Sequence, residues 1–167
     1  MHWQESYRAS VCGNQIAKRH YTCQSPDSGQ FVPPGRCLVL LTSCFQSLWV
    51  TSWPFPEYVR HAWPGAWICS LFRNESTHRA SVLIREAVAA TRFHFGNPPA
   101  LGMMTFIDRN KVRPTKVRGK EVWGWTYRKA GFVEVGETKG GLLALQLLPD
   151  AMPQPEAAGG TQLKLFA

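Results

Sequence analysis

The chain alternates between short apolar runs typical of strands and one longer stretch with helical periodicity. Residues 37–42 and 47–53 are two apolar runs joined by a short turn, which predicts an antiparallel hairpin. Residues 66–72 predict a third strand. Beyond them, small and apolar residues recur on one helical face, at Ala80, Ile84, Ala87, Val88 and Thr91. A Gly-Asn-Pro-Pro sequence at residues 96–99 stops this pattern and predicts the end of the helix.

The C-terminal half continues the alternation. Residues 101–107 are apolar nearly throughout, as expected of a central strand that is covered on both faces. Residues 123–132 predict a short helix closed by Gly131, a favourable residue for a left-handed cap. Residues 132–135 and 141–148 predict two more strands.

This order of elements indicates an α/β fold, a single domain with a mixed central sheet flanked by helices. Residues 10–21 predict a short helix, and residues 25–35 and 53–65 are dense in turn-forming residues and predict irregular segments. The predicted domain spans residues 1–149. Residues 150–167 are rich in Pro, Ala and Gly and predict a flexible C-terminal tail.

The composition excludes several classes of protein. With 44% hydrophobic and 18% charged residues, the 167-residue chain is globular in type rather than disordered. No apolar run reaches the roughly 18 to 20 residues that a membrane helix needs, and the first ten residues lack the apolar core of a signal peptide. We therefore expect a cytoplasmic protein with no membrane partner. The five cysteines form no CxxC pair, which argues against a disulfide framework and against a thiolate zinc site.

Charge is distributed unevenly along the chain. The formal net charge is +8, and one stretch, RNKVRPTKVRGK, is rich in cations and has no acid. A solvated loop is one interpretation. Neutralisation of nucleic-acid phosphates is the other, and we favour it because clustered cations repel one another unless they meet an anion. The candidate DNA-binding residues are Arg109, Lys111, Arg113, Lys116, Arg118 and Lys120.

The connection between the third strand and the long helix is a second candidate site. A polar loop that leads into a helix N-terminus offers backbone N–H groups and a positive dipole end to an anion, although many α/β turns share this form. Here the loop extends from Arg73 to Ser81 and contains no glycine.

Several sequence blocks carry a resemblance to known families. The element order and the YRKAGF block resemble the GNAT acetyltransferase superfamily, although those enzymes have a Gly-rich pyrophosphate loop where this chain has none. A larger set of blocks resembles the Mom DNA-modification proteins of Mu-like bacteriophages, over about residues 15–148. The blocks are KRHY, QFVPPGRCLVL, LFRNE, PALGMMTFID, YRKAGF and TKGGLLALQL.

This resemblance implies a function. It implies a GNAT-like fold and the conversion of adenine in phage DNA, in the host cytoplasm, to an N6-carbamoylmethyl form that resists restriction enzymes. It also implies bound iron. A conventional acetyl-CoA-dependent N-acyltransferase is one alternative, and a non-catalytic DNA-binding protein on the same fold is another.

The resemblance also implies roles for individual residues. His20, Tyr21 and Asp108 are candidate iron ligands or proton-transfer groups, and Tyr127 is a candidate proton donor or substrate-positioning hydroxyl. Without the resemblance, His20 would be interpreted as a helix-end residue, Asp108 as a turn or capping residue and Tyr127 as packing.

The donor and the DNA base need binding groups of their own. Arg73 and Ser81 are the candidates for holding acetyl-CoA or another two-carbon donor. An adenine N6 is out of reach inside a stacked duplex, so the base must be flipped or unpaired. The candidates for stacking against it are Trp53, Phe55, Trp63, Trp123 and Trp125.

The last residues contain a separate motif. Gln162, Leu163, Leu165 and Phe166 are similar to the Gln-Leu-x-Leu-Phe pentapeptide by which bacterial enzymes bind the replication sliding clamp. Apolar anchors on a tether are typical of a short groove-binding motif, whereas packing of the tail on its own domain is the alternative.

Overall fold

A computed structural model describes residues 1–23 and 30–160 as a mixed α/β protein. Its strands are β1 (Trp3–Ser6), β2 (Arg36–Thr42), β3 (Ser47–Trp53), β4 (Trp67–Asn74), β5 (Met103–Ile107), β6 (Thr115–Val117), β7 (Lys120–Val122), β8 (Val133–Glu137) and β9 (Leu143–Leu147). Its helices are α1 (Val11–Ala17), α2 (Ala80–Phe95) and α3 (Trp125–Lys129), with 3-10 turns at Pro56–Tyr58 and Pro149–Ala151.

Seven strands form one sheet in the order β1-β2-β3-β4-β5-β9-β8. Every neighbouring pair in it is antiparallel except β4 and β5, which are parallel. The predicted α/β class and mixed sheet are therefore confirmed. The parallel pair is connected through α2, as a parallel connection requires a crossover of this kind.

Strands β4 and β5 are paired over a short stretch only and then separate. Their register runs only from Trp67 opposite Met103 to Cys69 opposite Thr105, while β4 continues to Asn74 and β5 to Ile107. On its other side, β4 contains a bulge, because Val50 and Thr51 face Leu71 and Cys69 and so skip Ser70. A bulge bends its strand and increases the local twist, which turns the end of β4 away from β5.

The two faces of the sheet are covered by different segments. Helix α2 packs on one face with its buried side chains Leu83, Ile84, Ala87 and Val88, as its periodicity predicts. The indole of Trp3 joins this core and donates a hydrogen bond of 2.8 Å to the Leu83 carbonyl. On the other face, α1 contributes a smaller core. The parting of β4 and β5 leaves an opening between these layers.

Three segments differ from the sequence-based expectations. Strand β1 was not predicted, because four residues of mixed polarity carry no strand signal. The helix predicted at residues 10–21 ends at Ala17. The basic stretch, predicted as a loop, contains the hairpin β6–β7. Pairing between β6 and β7 satisfies their backbone N–H and C=O groups. Their side chains are mostly polar, so the sequence shows no apolar strand pattern there.

Residues 150–160, which the sequence assigns to a flexible tail, pack on the domain. Met152 and Ala158 are buried in the main core. The backbone of Gly159 exchanges hydrogen bonds of 2.9 Å with Trp3 and Glu5 of β1. The packing on the domain therefore continues past residue 149, as far as Gly159. The clamp-binding motif at Gln162, Leu163, Leu165 and Phe166 lies outside the described residues.

In the described ranges, no helix has both the length and the apolar character that crossing a bilayer requires.

Candidate functional site

A cavity of about 220 Å³ lies where β4 and β5 separate. Strand β4 contributes residues 69–72 to its wall, and β5 contributes residues 105–107. The segment after α1 and the start of α3 close it from two sides. Three of the predicted catalytic residues, His20, Tyr21 and Tyr127, line this cavity together.

His20 and Tyr21 are held in the turns that follow α1. The backbone N–H of His20 donates to the Ala17 carbonyl at 2.8 Å, which continues the helix by one tight turn. The imidazole stacks on the Tyr21 ring with the centroids 4.7 Å apart. Helix α1 ends at Ala17, and the turn that follows it allows the adjacent His20 and Tyr21 rings to stack on the same wall of the cavity.

The His20 imidazole is a neutral hydrogen-bond acceptor near pH 7. Its Nδ1 lies 2.7 Å from the Thr22 hydroxyl and accepts from the Thr22 backbone N–H at 3.3 Å. The Phe72 carbonyl interacts with the ring as a further hydrogen-bond partner. Burial, reinforced by the charge of Arg73, lowers the pKa of His20 to about 4.

Thr22 is a site residue that the sequence did not indicate. Its side chain lines the cavity and its hydroxyl faces His20. A threonine two residues after a histidine carries no recognisable signal, because the contact depends on the local turn. The Thr22 hydroxyl therefore connects the cavity with the imidazole.

Tyr127 reaches the cavity from α3. Its hydroxyl lies 3.4 Å from the Sγ atom of Cys69 on β4, and its ring packs edge-on against Phe72 and Phe132. Burial raises the pKa of Tyr127 well above its usual range and raises that of the Cys69 thiol to about 12. Both groups are protonated near neutral pH, so Tyr127 is available as a hydrogen-bond or proton donor.

Tyr21 is the second phenol at the cavity. Its hydroxyl donates to the Phe106 carbonyl of β5 at 3.3 Å. Burial is the main cause of the raised pKa of Tyr21. The hydrogen bond connects the segment after α1 with β5, across the opening between the strands.

Asp108 has a structural role in the described geometry. It follows β5, and its Oδ1 accepts the backbone N–H of Asn110 at 2.9 Å while its carbonyl accepts those of Lys111 and Val112. Asp108 is not among the residues that line the cavity. The interpretation of Asp108 as a turn-capping residue therefore describes what the carboxylate does here.

Each of the three predicted iron ligands has a hydrogen-bond partner within the protein. His20 Nδ1 faces Thr22, the Tyr21 hydroxyl faces Phe106, and the Asp108 carboxylate faces a backbone N–H. Across residues 1–23 and 30–160, no group of three or more His, Cys, Asp or Glu side chains is placed to hold a metal ion. The implied iron stays a prediction.

Arg73, a predicted donor-binding residue, makes contacts within the protein. Its Nε donates to Glu75 at 2.5 Å and its Nη1 donates to the Arg19 carbonyl at 2.7 Å. Glu75 also accepts two hydrogen bonds from the Arg19 guanidinium. Arg73 thereby fastens β4 to the residue just before His20, so it supports the wall of the cavity.

The strand-to-helix loop is largely occupied by its own polar groups. Asn74 Oδ1 accepts hydrogen bonds from the backbone N–H and the hydroxyl of Ser76 and from the Ser47 hydroxyl. The backbone N–H of His78 donates to the Ser76 hydroxyl. Ser81 lies in the first turn of α2 and does not line the cavity. The predicted anion cradle therefore has fewer free donors than the sequence suggests.

The six candidate DNA-binding cations differ in their surroundings. Arg113 and Thr115 line the rim of the cavity. Arg109 forms an ion pair with Glu137. The other four cations are exposed at the hairpin or next to it: Lys111, Lys116, Arg118 and Lys120.

Of the five candidate stacking residues, Trp125 lines the cavity. The Arg36 guanidinium lies over the Trp53 ring, with its Cζ atom 3.9 Å from the ring centroid. The Trp123 indole donates a hydrogen bond of 2.9 Å to the Val112 carbonyl. Trp63 lies against Phe106 with 5.9 Å between the ring centroids, and Phe55 is exposed. Trp125 is thus the one of these five residues that lies at the cavity.

Comparisons of the chain with protein-family models, with curated proteins and with solved structures find no match.

Proposed function

We propose that this chain is a GNAT-like transferase that modifies the N6 amine of adenine in DNA. The product is N6-carbamoylmethyladenine, formed in the cytoplasm of the host and protecting phage DNA from restriction, as the resemblance to Mom-type proteins implies. One observation carries the proposal: the adjacent residues His20 and Tyr21 and the distant Tyr127 line one cavity, together with Arg113 of the strongly basic segment.

The position of the cavity supports a transferase. It lies at the carboxyl ends of two parallel strands, where open α/β sheets place their ligands. The parting of the strands creates an opening through which a donor and an amine can approach from different sides. Arg113 at the rim adds a positive charge where a nucleotide phosphate would lie.

The side chains supply the proton transfers that such a reaction needs. The N6 lone pair forms the new N–C bond, and the leaving group of an activated two-carbon donor departs with the electrons of the broken bond. N6 then loses one proton. The Thr22 hydroxyl can pass this proton to the neutral Nδ1 of His20. Tyr127, protonated near neutral pH, can donate a proton to the leaving group.

Conventional transfer from acetyl-CoA is the weaker alternative. A pyrophosphate normally binds the free backbone N–H groups of a strand-to-helix loop. In this chain, Asn74 and Ser76 already occupy two of these groups, and Arg73 is paired with Glu75. No step of the transfer is assigned to iron.

Mass spectrometry of nucleosides from bacteria that express the protein tests the proposal. We expect a deoxyadenosine derivative carrying a carbamoylmethyl group. Tyr127→Phe and Thr22→Val should lower its yield by about 100-fold, the scale of a lost proton-transfer group. Tyr58→Phe is the matched control, because Tyr58 is 79% exposed and its variant should equal the wild type. Unmodified deoxyadenosine in cells that contain soluble wild-type protein would overturn the proposal.

A further inference from the structure

The hairpin β6–β7 stands apart from the main sheet. Its strands pair only with each other among the described residues, from Thr115 opposite Val122 to Val117 opposite Lys120. Three residues per strand extend the hairpin by roughly 10 Å at the usual rise of a β-strand. The hairpin is therefore a short two-stranded ribbon whose tip is free of the domain core.

The base of the ribbon is firmly held. The Trp123 indole donates to the Val112 carbonyl at 2.9 Å, and this bond closes the chain across the two ends of the hairpin. Both residues pack against the main hydrophobic core. Arg113 and Thr115, at the start of the ribbon, line the cavity. The ribbon and the cavity thus share a wall, and their relative position is set by packing.

The tip of the ribbon carries an unusual residue. Arg118 and Gly119 form the two-residue turn, with φ values of 49° and 79°. Such turns favour Asn, Asp or Gly at the first position, because a left-handed conformation is strained for other side chains. Arg118 places a long cationic side chain at the tip of the hairpin, at a position where Asn, Asp or Gly would be less strained.

Cations also lie on both faces of the ribbon. Lys116 and Lys120 are not cross-strand partners: Lys116 lies opposite Glu121, and Lys120 lies opposite Val117. Because neighbouring positions along a strand point to opposite faces, the two lysines lie on opposite faces. Lys116, Arg118 and Lys120 are all exposed, and residues 115–122 contain one acidic residue, Glu121.

We propose that the β6–β7 ribbon enters the major groove of duplex DNA, an inference that rests on the proposed function. The major groove is about 12 Å wide and about 8.5 Å deep and admits a two-stranded ribbon. Arg118 at the tip reaches the base edges, and Lys116 and Lys120 face the phosphates of the two groove walls. The cavity at the base of the ribbon then receives an adenine flipped from the neighbouring stack.

Duplex DNA fits the ribbon better than other nucleic acids. The ribbon, residues 115–122, has no aromatic side chain on which unpaired bases could stack, as single-strand binders require. The major groove of duplex RNA is too narrow and deep for side chains to be read there. B-form DNA is therefore the nucleic acid that the ribbon fits best.

Fluorescence anisotropy with the full-length protein tests this proposal, using a labelled 20-bp DNA duplex. Arg118→Gly removes the cation while glycine keeps the turn conformation, so loss of folding does not confuse the result. We expect about 10-fold weaker binding, within the range for one base-edge contact. Lys116→Ala and Lys120→Ala should each lower the salt slope of log K by about 0.9. Lys139→Ala, an exposed lysine outside the ribbon, is the charge-matched control.

A second probe distinguishes the groove. A duplex whose cytosines carry bulky glucosyl groups in the major groove should bind wild-type protein at least about 10-fold more weakly, approaching the affinity of Arg118→Gly. Equal binding of the two duplexes, or an Arg118→Gly variant that binds like Lys139→Ala, would overturn the proposal.

The two proposals fail in different ways. Because the binding assay needs no chemical reaction, a ribbon-dependent affinity without any modified adenine would remove the proposed function alone. Modified adenine together with ribbon-independent binding would remove the groove proposal alone.

Discussion

At the scale of single residues, Glu75 organises one wall of the cavity. It accepts hydrogen bonds from both Arg19 and Arg73, and these two cations hold the pKa of its carboxyl at about 2. Arg73 in turn binds the Arg19 carbonyl, next to His20. One carboxylate thus links the end of β4 to the segment that carries the catalytic candidates.

The lowered pKa of Glu75 predicts a pH dependence of stability. The folded state favours the ionised carboxyl, so its contribution is fully present above the ordinary pKa of about 4.5 and is lost as the pH falls towards 2. Glu75→Gln should lower the free energy of unfolding at pH 7 by about 1 kcal/mol, a figure reduced for the partial exposure of the ion pairs. Urea titrations at pH 7 and pH 3 measure the difference, which should shrink at the lower pH.

Glu57→Gln is the control for this measurement, because Glu57 is an exposed carboxylate away from the cavity. A loss of stability for Glu75→Gln that is the same at both pH values would contradict an electrostatic origin.

At the scale of elements, the site depends on how β5 begins as well as on how β4 bends. Gly102 precedes β5 with φ 64°, and a Cβ atom there would lie 2.1 Å from the Leu147 carbonyl oxygen of β9. Its own carbonyl accepts the Trp67 backbone N–H at 2.9 Å, which sets the register of β4 against β5. A single glycine therefore lets three strands approach one another below the cavity.

Gly102→Ala should destabilise the protein strongly. The clash is with backbone atoms that cannot move aside, and the left-handed conformation adds strain, so we expect a loss of at least about 3 kcal/mol. Gly119→Ala is the matched control: Gly119 has φ 79° and open space around its Cα, so the strain of about 1 kcal/mol acts alone. Thermal unfolding of both variants measures the difference, and equal midpoints would refute the close approach.

At the scale of the whole molecule, the last described segment completes the fold. Residues 149–160 place Met152 and Ala158 in the main core and add Gly159 to the edge of β1. The Glu156 backbone N–H also donates to the Ala89 carbonyl of α2. The segment around residues 156–159 therefore contacts both strand β1 and helix α2.

Two truncations separate the packed segment from the clamp-like motif. A chain ending at residue 148 should lose several kcal/mol of stability, because it exposes the core around Met152 and removes the backbone bonds to β1. A chain ending at residue 160 should unfold at the wild-type temperature but lose co-purification with the sliding clamp. Clamp binding that survives the second truncation would end the assignment of the motif, and wild-type stability of the first would refute the packing role.

Much of the fold could be predicted because its signals are local. The apolar runs of β2, β3 and β5 and the periodicity of α2 follow from which side chains can be buried together. Strand β1 and the β6–β7 hairpin could not be predicted, since their pairing relies on partners or turns rather than on apolar pattern. The packing of residues 149–160 could not be predicted, because their Pro, Ala and Gly content is typical of a flexible tail.

The candidate site was predicted in part. The resemblance pointed to His20, Tyr21 and Tyr127, which line one cavity, and to Asp108, which caps a turn beside it. Thr22 and Cys69 could not be predicted, because their roles arise from contacts made across the opening of the sheet.

The sequence alone determined the class of fold, the buried strands and the concentration of positive charge, since each depends only on residue types and their spacing. The tertiary structure decided what these features do together. The bulge in β4 and the short pairing with β5 open the sheet at one point, and distant side chains gather there. Distances between residues remote in the chain are set by packing, and packing has no local signature.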